Sequence, residues 1–170
     1  DINLITNEIK KPVKIWPKKN HSMIFIPSKY IFLVGGNDKK TFCYDINTEE
    51  TFEWAELNYQ RIEPALKRIE NFLYCFDNIK KKNDERLTFE KTDLNVDNPC
   101  WELIAPDINP GLSSLKFNQK FFGVSKDFDN SIVFLGGNMD NEQMTDDTVN
   151  YQYNITTNRI ELTNILYKEF

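Results

Sequence analysis

Short apolar runs rich in aromatic and β-branched residues alternate with polar turns along this chain, and two of the runs nearly repeat. Tyr30–Asn37 reads YIFLVGGN, and Ser131–Asn138 reads SIVFLGGN. Each apolar stretch predicts a fully buried strand. The glycine pair that ends each predicts a bulge, or a place where another backbone or a large side chain comes close.

The flanks of the two runs agree as well. Ahead of the first, Ser22–Ile26 reads as a strand and Pro27–Lys29 as a turn; behind it, Asp38–Lys40 is a turn, Thr41–Tyr44 a strand, Asp45–Glu50 a tight polar connection, and Phe52 and Trp54 alternate with Glu53 in a further strand. Around the second run, Phe121–Ser125, Val149–Tyr153 and Arg159–Leu162 read as strands, joined by the turn Lys126–Asn130, the loop Asn138–Asp147 and the connection Asn154–Asn158. Tyr44-Asp45 then corresponds to Tyr153-Asn154.

The two glycine pairs are 101 residues apart, twice the ~50 residues of one kind of four-stranded repeat. A worn unit is therefore expected between them. Ala65–Glu70, Phe72–Phe76, Arg86–Thr92 and Cys100–Ile104 supply its strands, with Cys75-Phe76 standing where the glycines would be, Asp93 where Asp45 falls, and Trp101 in the part of Trp54. Asp1-Ile2-Asn3 repeats Asp45-Ile46-Asn47, so residues 1–16 read as the end of a preceding unit, followed by units at 17–60, 61–110 (degenerate) and 111–170. The chain starts without an initiator Met, in the middle of a pattern, and is expected to be a piece of something longer.

A glycine pair closing an apolar strand, then Tyr-Asp at the end of the next, then a Trp or large apolar residue, resembles the kelch repeat. Gly35-Gly36, Tyr44-Asp45, Trp54, Trp101, Gly136-Gly137 and Tyr153 carry the resemblance, which covers nearly the whole chain; the middle unit lacks both glycines, and the last has Asn154 for Asp and Ile160 near the Trp position. The resemblance implies an all-β fold, a segment of a β-propeller built from four-stranded antiparallel blades. Closed rings use ~4–8 blades, so this one is incomplete, and the remaining blades come from the same chain or another. WD-type blades are disfavoured because no Gly-His or Trp-Asp pair occurs, and sialidase-type blades because Ser-x-Asp-x-Gly is absent.

Composition narrows the partners. A net charge of −5 and a pI near 5.0 argue against nucleic acid or an anionic membrane, and no apolar run approaches the ~20 residues of a membrane helix. Cys43, Cys75 and Cys100 have neither paired nor ligand-like spacing and read as thiols in a reducing compartment. The expected location is cytoplasmic, with a cytoskeletal association among the options the resemblance implies.

Catalytic and cofactor chemistry finds little footing. His21 is the single histidine and has no nucleophile paired with it in the sequence; the resemblance gives it a structural hydrogen bond instead. The acidic residues Asp140, Glu142, Asp146 and Asp147 lack calcium-loop spacing, and Asp127–Asn130 reads as an Asx turn. Gly35–Asp38 lacks the Gly-Lys-Ser/Thr of a phosphate loop, and one histidine is too few for a copper-radical site. No catalytic residue, metal or cofactor is expected.

In an antiparallel blade, the loops from second to third strand and from fourth strand to the next blade open on one face. That face collects Asp38–Lys40, Asn78–Asp84 and Asn138–Asp147 with Trp16–Asn20, Asn58–Pro64 and Pro106–Asn118. Long loops on a rigid scaffold are where recognition resides. The candidate partner-binding residues are Trp16, Lys18, Lys19, Asp38, Lys39, Tyr59, Arg61 and the basic run Lys80, Lys81 and Lys82. Trp16, Tyr59 and Arg61 are of hot-spot type, although Trp16 and Tyr59 could equally pack between blades, and a lysine run commonly forms a solvated turn. The expected function is that of a non-catalytic protein-interaction module, a scaffold or adaptor. The alternative is a regulatory or substrate-recruiting part of a larger enzyme such as a ubiquitin ligase adaptor, phosphatase or oxidase. A weaker third reading places a small molecule in the axial channel.

Overall fold

A computed structural model describes residues 19–78, 87–108, 123–126, 131–135 and 150–163. These residues are all-β and contain no helix. The first sheet has the order β1 (His21–Ile26), β2 (Tyr30–Gly35), β3 (Thr41–Asp45), β4 (Glu50–Glu53). The second follows the same plan with β5 (Ala65–Ile69), β6 (Phe72–Asn78), β7 (Leu87–Asp93) and β8 (Glu102–Ile104). The third is built from β10 (Gly123–Lys126), β11 (Ser131–Leu135), β12 (Asn150–Asn154) and β13 (Arg159–Thr163), and β9 (Asp107–Ile108) is added on its outer side. Neighbouring strands are antiparallel, except that β9 runs parallel to β13. The parallel strand falls inside a stretch expected to be a loop.

The three sheets share one internal register. Asp45 pairs with Tyr30, Asp93 with Phe72 and Asn154 with Ser131, so each closes a third strand opposite the first residue of a second strand. Each also caps the turn that follows. Asp45 Oδ1 accepts from the N–H groups of Asn47 and Thr48 (2.7 and 3.2 Å), Asp93 Oδ1 from that of Asn95 (2.9 Å), and Asn154 Oδ1 from that of Thr157 (2.9 Å). A short side chain that bonds its own backbone two or three residues on is the device that fixes such turns.

This register corrects three expectations. Counting from the Asp45 and Asp93 positions, the mates of Gly35 and Gly36 are Asp77 and Asn78, so Cys75 and Phe76 stand two residues short. The mismatch arises because β6 runs on to Asn78, past the last apolar residue of its run. Trp54 donates its N–H to the Thr41 carbonyl (2.9 Å) at the end of β4. The corresponding residues are Ile104, opposite Phe89, and Thr163, opposite Asn150. Trp101 instead precedes β8, and Ile160 sits at the register of Thr51.

The sheets pack face against face. Ile26, Phe32, Val34, Cys43 and Leu57 meet Leu73, Cys75, Leu94 and Trp101 between the first and second sheets. Tyr74, Phe76 and Phe89 meet Ile132, Phe134, Tyr151, Tyr153 and Ile160 between the second and third. Strand β1 lies beside β5, and β5 beside β10.

Candidate interaction surface

The turn after β2 and the connection from β4 to β5 are laced together by their backbones. Arg61 O accepts from the N–H groups of Gly36 (3.3 Å) and Asn37 (3.1 Å), Arg61 N–H donates to Asp38 O (3.2 Å), and Leu57 N–H donates to Lys39 O (2.8 Å). The N–H of Glu63 reaches Asn20 O just ahead of β1 (2.8 Å). Three stretches assigned to one face from the sequence are thus joined on that face. Gly35 permits the approach. Its φ is +76°, and a Cβ there would lie 3.0 Å from Arg61 O and 3.3 Å from Pro64 Cδ.

Beneath this surface lies the Glu90 carboxylate on β7, fully buried. Oε2 accepts from the backbone N–H (2.6 Å) and side-chain Nδ2 (2.9 Å) of Asn58; Oε1 accepts from Tyr59 N–H (3.3 Å) and from Arg61 Nε (3.0 Å) and Nη2 (2.8 Å). The Arg61 guanidinium, equally buried, also donates through Nη1 to Thr88 O and through Nη2 to Thr88 Oγ1, both at 3.2 Å. Asn58 Nδ2 continues to Trp101 O (2.6 Å). A buried carboxylate that fills its acceptor sites in this way compensates its own desolvation and fixes the geometry of its donors. The connection is therefore held from below by one side chain of the neighbouring sheet.

The candidate residues separate accordingly. Lys19 and Lys39 are exposed; Asp38 is half-buried, its Oδ1 accepting from Lys40 N–H (2.8 Å); Tyr59 is half-buried, with the Arg61 guanidinium 6.0 Å from its ring centre. Arg61 departs from the expectation of an exposed anchor. Its planar fork matches a carboxylate in two directions, and Glu90 and Thr88 take that fork inside the protein. Trp16, Lys18, Lys80, Lys81 and Lys82 lie outside the described residues, as do the acidic loop around Asp140–Asp147 and the turn at Asp127–Asn130. His21 opens β1 opposite Gly35 and is exposed.

Several members of the surface went unnoticed in the sequence. Gln60 Nε2 donates to Asn37 Oδ1 (2.6 Å), tying the two loops at their tips, and Ile62 stands beside them 45% exposed. Glu90 carried a signal: Thr88, Glu90 and Thr92 alternate with Phe89 along β7, which assigns the polar set to its own face of the sheet. That face turns toward the first sheet, and all three polar residues are buried.

A cleft of about 510 Å³ opens elsewhere, between β4 and the turn after β7, with Tyr30, Phe52 and Trp54 on one side and Val96, Asp97 and Pro99 on the other. Lys29 Nζ bridges it, donating to Leu94 O (3.0 Å) over the Tyr30 ring. Among the described residues no group of three or more His, Cys, Asp or Glu is placed to hold a metal ion, and no helix is long and apolar enough to cross a membrane.

No protein-family model matches the chain, and no curated protein matches it.

Proposed function

We propose that the chain is part of a kelch-type β-propeller, an incomplete ring of four-stranded blades, and that it works as a non-catalytic protein-interaction module, a scaffold or adaptor of a larger chain or assembly. The observation that carries this reading is the joined loop surface over Glu90. The loops 36–40 and 57–63 are knit by backbone hydrogen bonds and fixed from below. A surface ordered in advance loses little conformational entropy when a protein segment docks on it. Lys19, Lys39, Gln60 and Ile62 are among its exposed members.

Support for the propeller comes from the recurring Asp45, Asp93 and Asn154 register and from the side-by-side first strands β1, β5 and β10, as expected of strands nearest a common axis. The face of the first sheet turned away from the second carries Met23 (67% exposed), Phe25 (59%) and half-buried Ile31, Leu33, Phe42 and Tyr44. A further blade, in cis or from another chain, would cover it.

The test is photo-crosslinking in cells, with the reactive amino acid placed at Gln60 and, separately, at Leu103 on the outer strand of the second sheet. The Gln60 position is expected to yield a discrete adduct with another protein, and the Leu103 position none. Adducts from Leu103 alone would overturn the assignment of the surface.

A further inference from the structure

The third sheet shows that an outer strand here can take an added strand. Asp107–Ile108 pairs in parallel with β13, Asp107 opposite Arg159 and Ile108 opposite Ile160. The added strand is held by the N–H of Asp107 donating to Asn158 O (2.7 Å) and by Arg159 Nε–Asp107 Oδ2 at 3.3 Å. The charge of the edge thus matches, with opposite sign, the charge of what it receives.

The outer strand of the first sheet is β4, and among the described residues no strand lies on its outer side. The bond from Trp54 N–H to Thr41 O makes that pair a hydrogen-bonded one, so Phe52 and Glu50 also face β3 with their backbone groups. Thr51 and Glu53 then direct N–H and C=O outward, a template for another strand. Register equates Glu50 with Arg159 and Phe52 with Glu161. The charge at the first position is therefore inverted relative to the third sheet. Glu50 and Phe52 share a side of the strand, the side on which Phe52, 39% exposed, faces the cleft with Val96, Asp97 and Pro99.

We propose that the outer edge of β4 binds an extended basic segment of a partner protein as a fifth, parallel strand. The segment carries Lys or Arg opposite Glu50 and an aliphatic residue two positions later, opposite Phe52. The first side chain meets the carboxylate of Glu50, and the second enters the cleft against Phe52 and Val96. Main-chain hydrogen bonds to Thr51 and Glu53 supply affinity, and the alternate side chains supply selection. This site is separate from the loop surface over Glu90 and does not depend on it.

The probe is a capped six-residue peptide alternating Thr with Lys, Val and Lys, titrated into the whole chain while amide exchange is followed. Binding is expected to slow exchange at Thr51 and Glu53. A peptide with Glu in place of Lys is expected to bind at least about tenfold more weakly, and Glu50→Lys to reverse that preference. Thr51→Pro, which removes an outward donor, is expected to abolish binding. Unchanged affinity in Glu50→Lys together with unchanged amide exchange would overturn the proposal. So would slow exchange at Thr51 and Glu53 before any peptide is added, because the edge would then already be filled by the chain itself. Crosslinking from Gln60 is expected to be unaffected in either case.

Discussion

Sheet two meets its two neighbours with different chemistry, and β7 displays both kinds on its opposite faces. Phe89 points to the third sheet and enters a cluster of rings, 4.8 Å from Phe76, 5.7 Å from Phe134 and 4.9 Å from Tyr153. Thr88, Glu90 and Thr92 point to the first sheet, where they receive Arg61, Asn58 and the Trp54 indole N–H (3.2 Å to Thr92 Oγ1). Ring packing is less directional than a hydrogen-bond network, since its worth is spread over many individually small contacts. A carboxylate with five donors at 2.6 to 3.3 Å accepts one arrangement. The aromatic junction therefore supplies adhesion, and the polar junction supplies position. Position is needed where the connection between sheets also presents the loop surface.

The sharpest way to break this contrast is to remove Glu90. Glu90→Ala leaves the Arg61 guanidinium buried without its counter-charge and is expected to cost about 3–5 kcal/mol, read from urea unfolding. Joint replacement by Glu90→Leu and Arg61→Leu is expected to recover much of that loss, because two apolar side chains then replace a pair that had to be desolvated. Recovered stability without recovered crosslinking from Gln60 would separate adhesion from position. A loss below about 1 kcal/mol in Glu90→Ala would mean that the pair behaves like a surface salt bridge, and the contrast would fail.

Next comes the glycine that lets Arg61 approach. Gly35→Ala places a Cβ 3.0 Å from Arg61 O at φ +76°, and both effects oppose folding, by about 2 kcal/mol together. The register mate in the second sheet is Asp77, a position that already bears a side chain. Asp77→Ala adds no Cβ and is expected to cost less than Gly35→Ala. Equal losses at the two positions would show that the junctions do not differ in this respect. A smaller effect, about 1 kcal/mol, is expected for Phe134→Leu, because the remaining rings of the aromatic junction can close around a somewhat smaller side chain.

How far the sequence carried can be judged from these same elements. The strands were legible because aromatic and branched runs alternate with Asx-type turns: Ala65–Ile69 and Phe72–Asn78 are strands even though their unit lacks glycines. The loop surface was legible from antiparallel geometry alone, through Lys19, Asp38, Lys39 and Tyr59. Arg61 and Glu90 were not. Arg61 read as a partner-binding residue and Glu90 drew no notice, and only the packing of two sheets brings them together across 29 positions. The register at Cys75 was misjudged because hydrophobicity marks where an apolar run stops, whereas β6 continues through two polar residues. The strand Asp107–Ile108 gave no signal, being two residues long and defined by its partner β13.

Alkaline pH probes the two junctions separately. Burial, aided by the nearby Asp45 charge, pushes the Cys43 thiol up from 9.0 to about 12; burial, aided by Tyr74, pushes the Tyr153 phenol up from 10.0 to about 12. Cys43 belongs to the first junction and Tyr153 to the second. For both groups the unfolded chain releases its proton at lower pH than the folded protein does. The stability each contributes is therefore complete below its ordinary value and is lost as pH rises toward about 12. The midpoint of urea unfolding is expected to begin falling near pH 9 in the unaltered chain, and Cys43→Ala to delay the onset toward pH 10, where the phenol takes over. Tyr153→Phe is expected to leave the onset in place and to flatten the decline above pH 10. If Cys43→Ala began to fall at the same pH as the unaltered chain, the thiol would not be sealed into the first junction. The loss of order at high pH would then start in the rings of the second.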